Sequence, residues 1–169
     1  MKQRLFLFLS LLLVLLVNQT AEASAPMKLS SPSFQDHALI PQRFTCQGEN
    51  VNPELAIDGI PDGTLSLALI VDDPDAPMGT WVHWVVYDIP VTHKISEHSV
   101  PGKQGMNSFR KQDYGGPCPP SGTHRYFFKL YALDQKLNMP EGENARTLDK
   151  AMEGHILEKA ELVGLYKKQ

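Results

Sequence analysis

Apolar and polar residues alternate with a period of two in several short runs of this chain, the signature of half-buried strands. Leu65-Ser-Leu-Ala-Leu-Ile-Val71 begins by alternating and ends as a continuous apolar run, which predicts a buried strand. Trp81 to Ile89, rich in Trp, Val and Tyr and closed by Pro90, predicts a second. His124 to Leu133, with Tyr126, Phe127, Phe128, Leu130 and Tyr131, has the strongest strand character, and Glu161 to Lys168 predicts a last strand. Earlier, Ala25 to Leu29 reads as a short extended start and Pro32 to Cys46 as a strand entry or irregular segment. Phe44 to Cys46 is expected to run as a strand into the turn Gln47–Asn50. Asn52-Pro53 bars a helix, and Asp58 to Thr64 is turn chemistry. Val91 to Gln112 is polar with little periodicity, and Gly102 to Phe109 is expected to be a surface loop.

One stretch has helical spacing. Thr147 is the expected cap, and Leu148, Ala151, Met152, His155, Ile156 and Ala160 fall on one face; Pro140 to Glu143 predicts a shorter turn before it. Many short strands, thirteen prolines and one late helix predict a mainly β domain, a sandwich-like body with a peripheral helix in the C-terminal region. No internal repeat or low-complexity segment interrupts it.

The N-terminus stands apart from this pattern. Lys2 and Arg4 precede an apolar run from Leu5 to Val17, and Ala21-Glu22-Ala23 supplies small residues at the positions a signal peptidase reads. The run is short for a bilayer span, so residues 1–23 are expected to be a cleaved secretory signal and 24–169 the folded domain. No transmembrane segment is expected after cleavage. Removing Lys2, Arg4 and Glu22 from 16 basic and 19 acidic residues leaves a net charge near -4, which argues against nucleic acid or an anionic membrane surface as general partners. A periplasmic or secreted chain with two cysteines, Cys46 and Cys118, is expected to pair them, with two buried thiols as the alternative.

Two stretches carry the candidate chemistry. In Val71-Asp-Asp-Pro-Asp-Ala-Pro-Met-Gly-Thr-Trp-Val-His-Trp84, Pro74 and Pro77 stiffen the loop around Asp75, and His83 stands just inside the next strand. An aspartate bonded to one imidazole nitrogen would orient the ring and favour its charged form, leaving the other nitrogen to donate to phosphate, sulfate or carboxylate. In Gly115-Gly-Pro-Cys-Pro-Pro-Ser-Gly-Thr-His-Arg-Tyr126, glycines permit close approach, Gly122-Thr123 can present N–H groups to an anion, and alternation puts His124 and Tyr126 on one face. Arg125 then faces away, free to pair with a carboxylate. The bland alternative for each is a stiff turn between hairpin strands. A mixed N/O metal site from Asp73, Asp75, His83 and His124 is conceivable but not expected, nor is any cofactor. Ser121 lacks a nucleophile-elbow context. His37, His93 and His98 are expected to be solvated, and His155 packed against the sheet from the helix.

At Asp73-Pro-Asp-Ala-Pro77, His83 and Gly116-Pro-Cys-Pro-Pro-Ser-Gly-Thr-His-Arg-Tyr126 the chain closely resembles the phosphatidylethanolamine-binding protein family, in its bacterial Raf kinase inhibitor-like branch. The resemblance extends through Phe44–Asn50, Trp81–Tyr87, Phe127–Asp134 and Glu161–Tyr166, and so covers the mature chain. It implies a β-sandwich with a small anion pocket at one end, lined by Asp73, Asp75, His83, Pro120, His124 and Tyr126. It also implies phospholipid head groups or nucleotides as ligands, with inhibition of a kinase or serine protease by association as the alternative; a homodimer is a separate expectation. Only five residues separate Pro77 from His83, fewer than in eukaryotic relatives, and Thr123 meets His124 directly, so a lower rim and a more open mouth are expected. The eukaryotic C-terminal helix is not expected, and Asn52 and Ile57 replace the branch's usual serine and aromatic residue as packing changes. The expected function is therefore non-catalytic anion binding; an inhibitor acting by protein contact and a pocket hydrolase are the rivals.

Overall fold

A computed structural model describes residues 25–169. The expected signal segment, residues 1–23, lies outside them. Nine strands make two sheets: β1 (Lys28–Ser30), β2 (Ala38–Leu39), β3 (Leu55–Asp58), β4 (Ser66–Asp73), β5 (Trp81–Ile89), β6 (Lys94–Ile95), β7 (Lys103–Gln104), β8 (Thr123–Leu133) and β9 (Ile156–Lys167). The larger sheet has the order β2-β9-β8-β4-β5-β7, antiparallel except where β2 meets β9, and the smaller has the order β1-β3-β6. The mainly β sandwich expected from the alternating runs is the observed architecture.

The main core lies between the sheets, where Leu55 and Ile57 meet Leu67, Leu69, Val71, Trp84, Phe128, Leu130 and Leu162. On the other face of the larger sheet, Ala68, Ile70, Val85 and Tyr87 pack under Leu148 and Met152 of α1 (Ala145–Met152), the one α-helix among the described residues. Cover on both faces explains why β4 turns from alternating to continuously apolar: all eight of its residues are buried. Asn52 and Ile57 have packing roles. Ile57 is in the core, and the buried Asn52 amide bonds the Pro53 and Ser96 carbonyls while accepting from the Ser99 N–H.

Several local expectations are corrected. The helix is capped by Asn144, whose side chain accepts from the Thr147 N–H, and it ends at Met152. Gly154, at φ 79°, turns the chain, so Ile156 and Ala160 belong to β9, which begins well before Glu161. Gly or Asn is the usual stop signal at such a point, and it outweighs two more apolar residues at helical spacing. His155 sits in the turn, half exposed, with Nδ1 2.9 Å from Asp134, and does not pack from a helix. Phe44 closes a 3₁₀ turn, Gln42–Phe44, instead of entering a strand. The long polar stretch contributes β6 and β7, and within Gly102–Phe109 the side chain of Asn107 is buried. His37, His93 and His98 are exposed, as expected.

Candidate functional site

The β4–β5 turn and the 115–123 loop meet at one end of the sandwich. Along β8, alternation sends His124, Tyr126 and Phe128 to the face of the main core and Arg125, Phe127 and Lys129 to the other. The same rule divides the three carboxylates. Asp72 faces the helix side, where Lys129 Nζ approaches to 2.6 Å. Asp73 faces the pocket and Asp75 leaves the strand altogether.

His83 reaches the pocket by an irregularity. Val71 pairs with Trp84 and Asp72 with Val82, so β5 spends one extra residue there, and that residue is His83. Strict alternation would put His83 opposite Trp84, on the face of the helix. The bulge returns it to the face of Tyr126, whose ring lies edge-on at 5.2 Å. A period-two reading cannot see this.

Each histidine is fixed through Nδ1, but by different partners. His124 Nδ1 donates to Asp73 Oδ2 at 2.7 Å, and Asp73 Oδ1 accepts the Asp75 N–H at 2.8 Å. His83 Nδ1 lies against the Gly115 carbonyl, an acceptor only, so Nδ1 carries the proton and the neutral ring presents a lone pair at Nε2. The expected aspartate–histidine pair therefore forms at His124, while a backbone carbonyl orients His83. Burial holds the His83 pKa below its ordinary value; the Gly115 carbonyl and the Asp73 charge oppose the shift without reversing it. Neither Nε2 has a protein hydrogen-bond partner among the described residues.

Tyr126 is fully buried, and its hydroxyl lies near the Asp73 carboxylate and the Cys118 backbone without a well-formed hydrogen bond among the described residues. Burial, then the nearby Asp73 charge, pushes its pKa well up, so it remains a neutral donor.

A cavity of about 300 Å³ opens above these groups, lined by Asp73, His83 and Pro120 with Pro77, Met78, Trp81, Phe109 and Cys118 among its walls. Of the expected site residues, these first three line it. His124 and Tyr126 are buried on the same face, bonded to Asp73 and packed on His83 respectively. Asp75 turns outward, and its carboxylate accepts from Arg125 Nη2 at 2.7 Å, Nε at 2.9 Å and the backbone N–H at 3.0 Å. That guanidinium holds the Asp75 carboxyl down at about pKa 2. The exposed turn 121–123 does not line the cavity. Among the described residues no group of three His, Cys, Asp or Glu side chains could hold a metal ion; Asp72 turns to Lys129 and Asp75 to Arg125.

Neither Phe109 nor Asn107 is among the residues expected at the site. Phe109 sits edge-on to both Trp81 (5.3 Å) and His83 (5.4 Å), and an aromatic residue in a polar loop was its one available signal. The second loop is held from behind. Cys46 and Cys118 are bonded, the Cys46 N–H donates to the Pro117 carbonyl at 3.1 Å, and Gly116 N donates to Asn50 Oδ1 at 2.8 Å. Gly116 has an ordinary negative-φ backbone, and its use is close approach: a Cβ there would stand 2.5 Å from the Phe44 carbonyl oxygen.

The chain is similar in sequence and fold to known proteins. A UPF0098 protein of Methanothermobacter thermautotrophicus is 47% identical over 150 residues, covering 84% of this chain and 99% of the relative. One from Aquifex aeolicus is 46% identical over 154 residues, covering 85% and 90%. Among solved structures, the phosphatidylethanolamine-binding protein homolog CT736 of Chlamydia trachomatis superposes with a TM-score of 0.83 at 40% identity, covering 85% of this chain and 99% of that one. E. coli YbcL, described as a member of the mammalian PEBP family, gives 0.79 at 27%, covering 86% and 100%. The family model for phosphatidylethanolamine-binding protein matches residues 30–167, nearly the whole described fold with both loops of the pocket. With sandwich, paired loops and sequence in agreement, the chain belongs to the phosphatidylethanolamine-binding protein family.

Proposed function

We propose that this protein binds small phosphate-bearing anions or phospholipid head groups in the His83 pocket, without converting them, after export from the cytoplasm. The observation that carries the reading is a pair of buried imidazoles on one sheet face, each anchored through Nδ1, each with Nε2 uncommitted, beside the buried Tyr126 hydroxyl. An anion with a titratable proton suits such a floor: it donates to a neutral Nε2 and accepts from a protonated one. Asp73 spends both oxygens on protein donors, so it orients His124 and the loop and does not compete for the ligand. The description of the family and of its Chlamydia homolog supports a head group as one source of the phosphate. The disulfide supports an oxidising compartment, the periplasm or the exterior.

Phosphorus NMR tests this. Inorganic phosphate and phosphoethanolamine should each broaden or shift on addition of the protein, and His83→Gln with His124→Gln should abolish the effect. Unperturbed signals with the native protein would rule the reading out.

A second reading, inhibition of a protease or kinase by contact, is favoured by one feature of the rim: Met78 is 94% exposed beside Trp81 and Phe109. An inhibitory activity that survives the double histidine substitution but not Met78→Ser would support it.

A further inference from the structure

Beside the histidine pocket lies a second cleft of about 450 Å³. The two share Trp81, Phe109 and Cys118, so the Phe109 ring is a partition between them and not the end of either. The far cleft is lined by Arg110 and Lys111, with Tyr114 at its back.

The turn carrying these residues is firmly built. Ser108 N donates to the Val82 carbonyl, and Val82 N donates to Ser108 Oγ, both at 2.9 Å, which ties the turn to the strand of His83. The buried Asn107 organises the rest. Its Oδ1 accepts the Phe109 and Lys111 N–H groups, each at 3.0 Å, and its Nδ2 donates to the Asp113 carbonyl at 2.9 Å. Arg110 is held at φ 61°, a conformation that a non-glycine residue adopts at a cost and that is retained only when its surroundings impose it. The salt bridges of the described residues engage Arg43, Lys94, Lys103, Arg125 and Lys129, but neither Arg110 nor Lys111. Asp113 is the one carboxylate in the cleft, and it is bonded to Asn107 Nδ2 at 3.2 Å.

We propose that the Arg110–Lys111 cleft is a second anion subsite, so that the protein prefers two-headed ligands: a phosphate at the histidines, an apolar body across Phe109 and Trp81, and a second anionic group at Arg110 and Lys111. The proposal rests on the phosphate reading of the histidine pocket. Both ends would be engaged by one molecule, so the second contact adds affinity without a second association cost.

Calorimetry with three probes separates the two ideas: inorganic phosphate, n-alkyl phosphates, and ω-carboxyalkyl phosphates of stepwise increasing chain length. At one chain length the terminal carboxylate should strengthen binding about fivefold over the matching alkyl phosphate, the scale of a partly exposed ion pair. Arg110→Gln with Lys111→Gln, both at exposed positions, should erase that gain and leave inorganic phosphate binding unchanged. No gain at any length, or a gain that survives the double substitution, overturns the second subsite alone. Failure of inorganic phosphate to bind overturns the histidine-pocket reading and this proposal with it.

Discussion

Opening the Cys46–Cys118 bond should destabilise the protein strongly while leaving the pocket nearly intact. The bond closes a loop with a sequence separation of 72 residues. In the chain-entropy model a loop of that size restricts the unfolded chain enough to contribute about 4 kcal/mol. For roughly 145 folded residues, with an unfolding entropy of ~2.1 cal/mol/K each, that is a fall of about 13 °C in Tm. The native loop has other restraints: Tyr114 Oη donates to the Phe44 carbonyl at 3.0 Å, Cys46 N to Pro117 O, and Gly116 N to Asn50 Oδ1. At about 1 kcal/mol net apiece they are enough to keep the folded loop docked once the bond is gone. The effect should therefore sit in the unfolded state. Scanning calorimetry of oxidised protein against Cys46→Ser with Cys118→Ser measures the stability, and phosphate titration of both measures the site. A loss below about 1 kcal/mol, or a tenfold loss of phosphate affinity at full folding, would refute this division of labour.

Gly116→Ala should cost about 2–3 kcal/mol by urea unfolding, because the added carbon meets the Phe44 carbonyl and Thr45 Cα, which are backbone and cannot step aside. Gly63→Ala is the contrast: φ is 84° with nothing within 4 Å, so only backbone strain of about 1 kcal/mol is expected. The Asp75–Arg125 clamp should show in acid. Its carboxyl is depressed to about 2 from 3.8, so its stabilisation is complete above the unfolded value and disappears as pH falls through the folded one. Arg125→Met should flatten that part of the acid limb only slightly in acid unfolding, since the exposed pair is screened by solvent. Asn107→Ala should cost about 2–3 kcal/mol and change the fluorescence of Trp81 by releasing Phe109, leaving α1 unaffected by far-ultraviolet dichroism.

The layout of the long strands was legible because burial imposes a period that side chains must obey. β4, β5 and β8 were placed within a residue or two, and their alternation correctly sent His124 and Tyr126 one way and Arg125 the other. Period alone would have misplaced His83, where a bulge shifts the register by one, and it did mislead after Met152, where apolar residues at helical spacing continue into a strand. Short edge strands such as β6 and β7 bury too few side chains to leave a pattern, so their stretch read as loop. The pocket was legible as two stiff loops carrying histidines. Its division of partners was not: which carboxylate meets which cation depends on strand faces, and the carbonyl that fixes His83 has no residue-type signal at all. Asn107 was missed for a related reason, since a buried amide organising a turn looks like any polar loop residue.

The most direct test of the central claim is isothermal titration of inorganic phosphate from about pH 5 to about pH 8, in buffers of differing ionisation enthalpy. Burial lowers the His83 pKa from the ordinary 6.5 and so disfavours the protonated ring of the free protein, whereas an anion at Nε2 favours it. Binding should therefore take up protons near neutrality, and affinity should fall as pH rises, by up to about tenfold per unit. The substitution His83→Gln should remove both the proton uptake and most of the pH dependence. Absence of saturable binding across the range, or an affinity that rises with pH, would contradict the account.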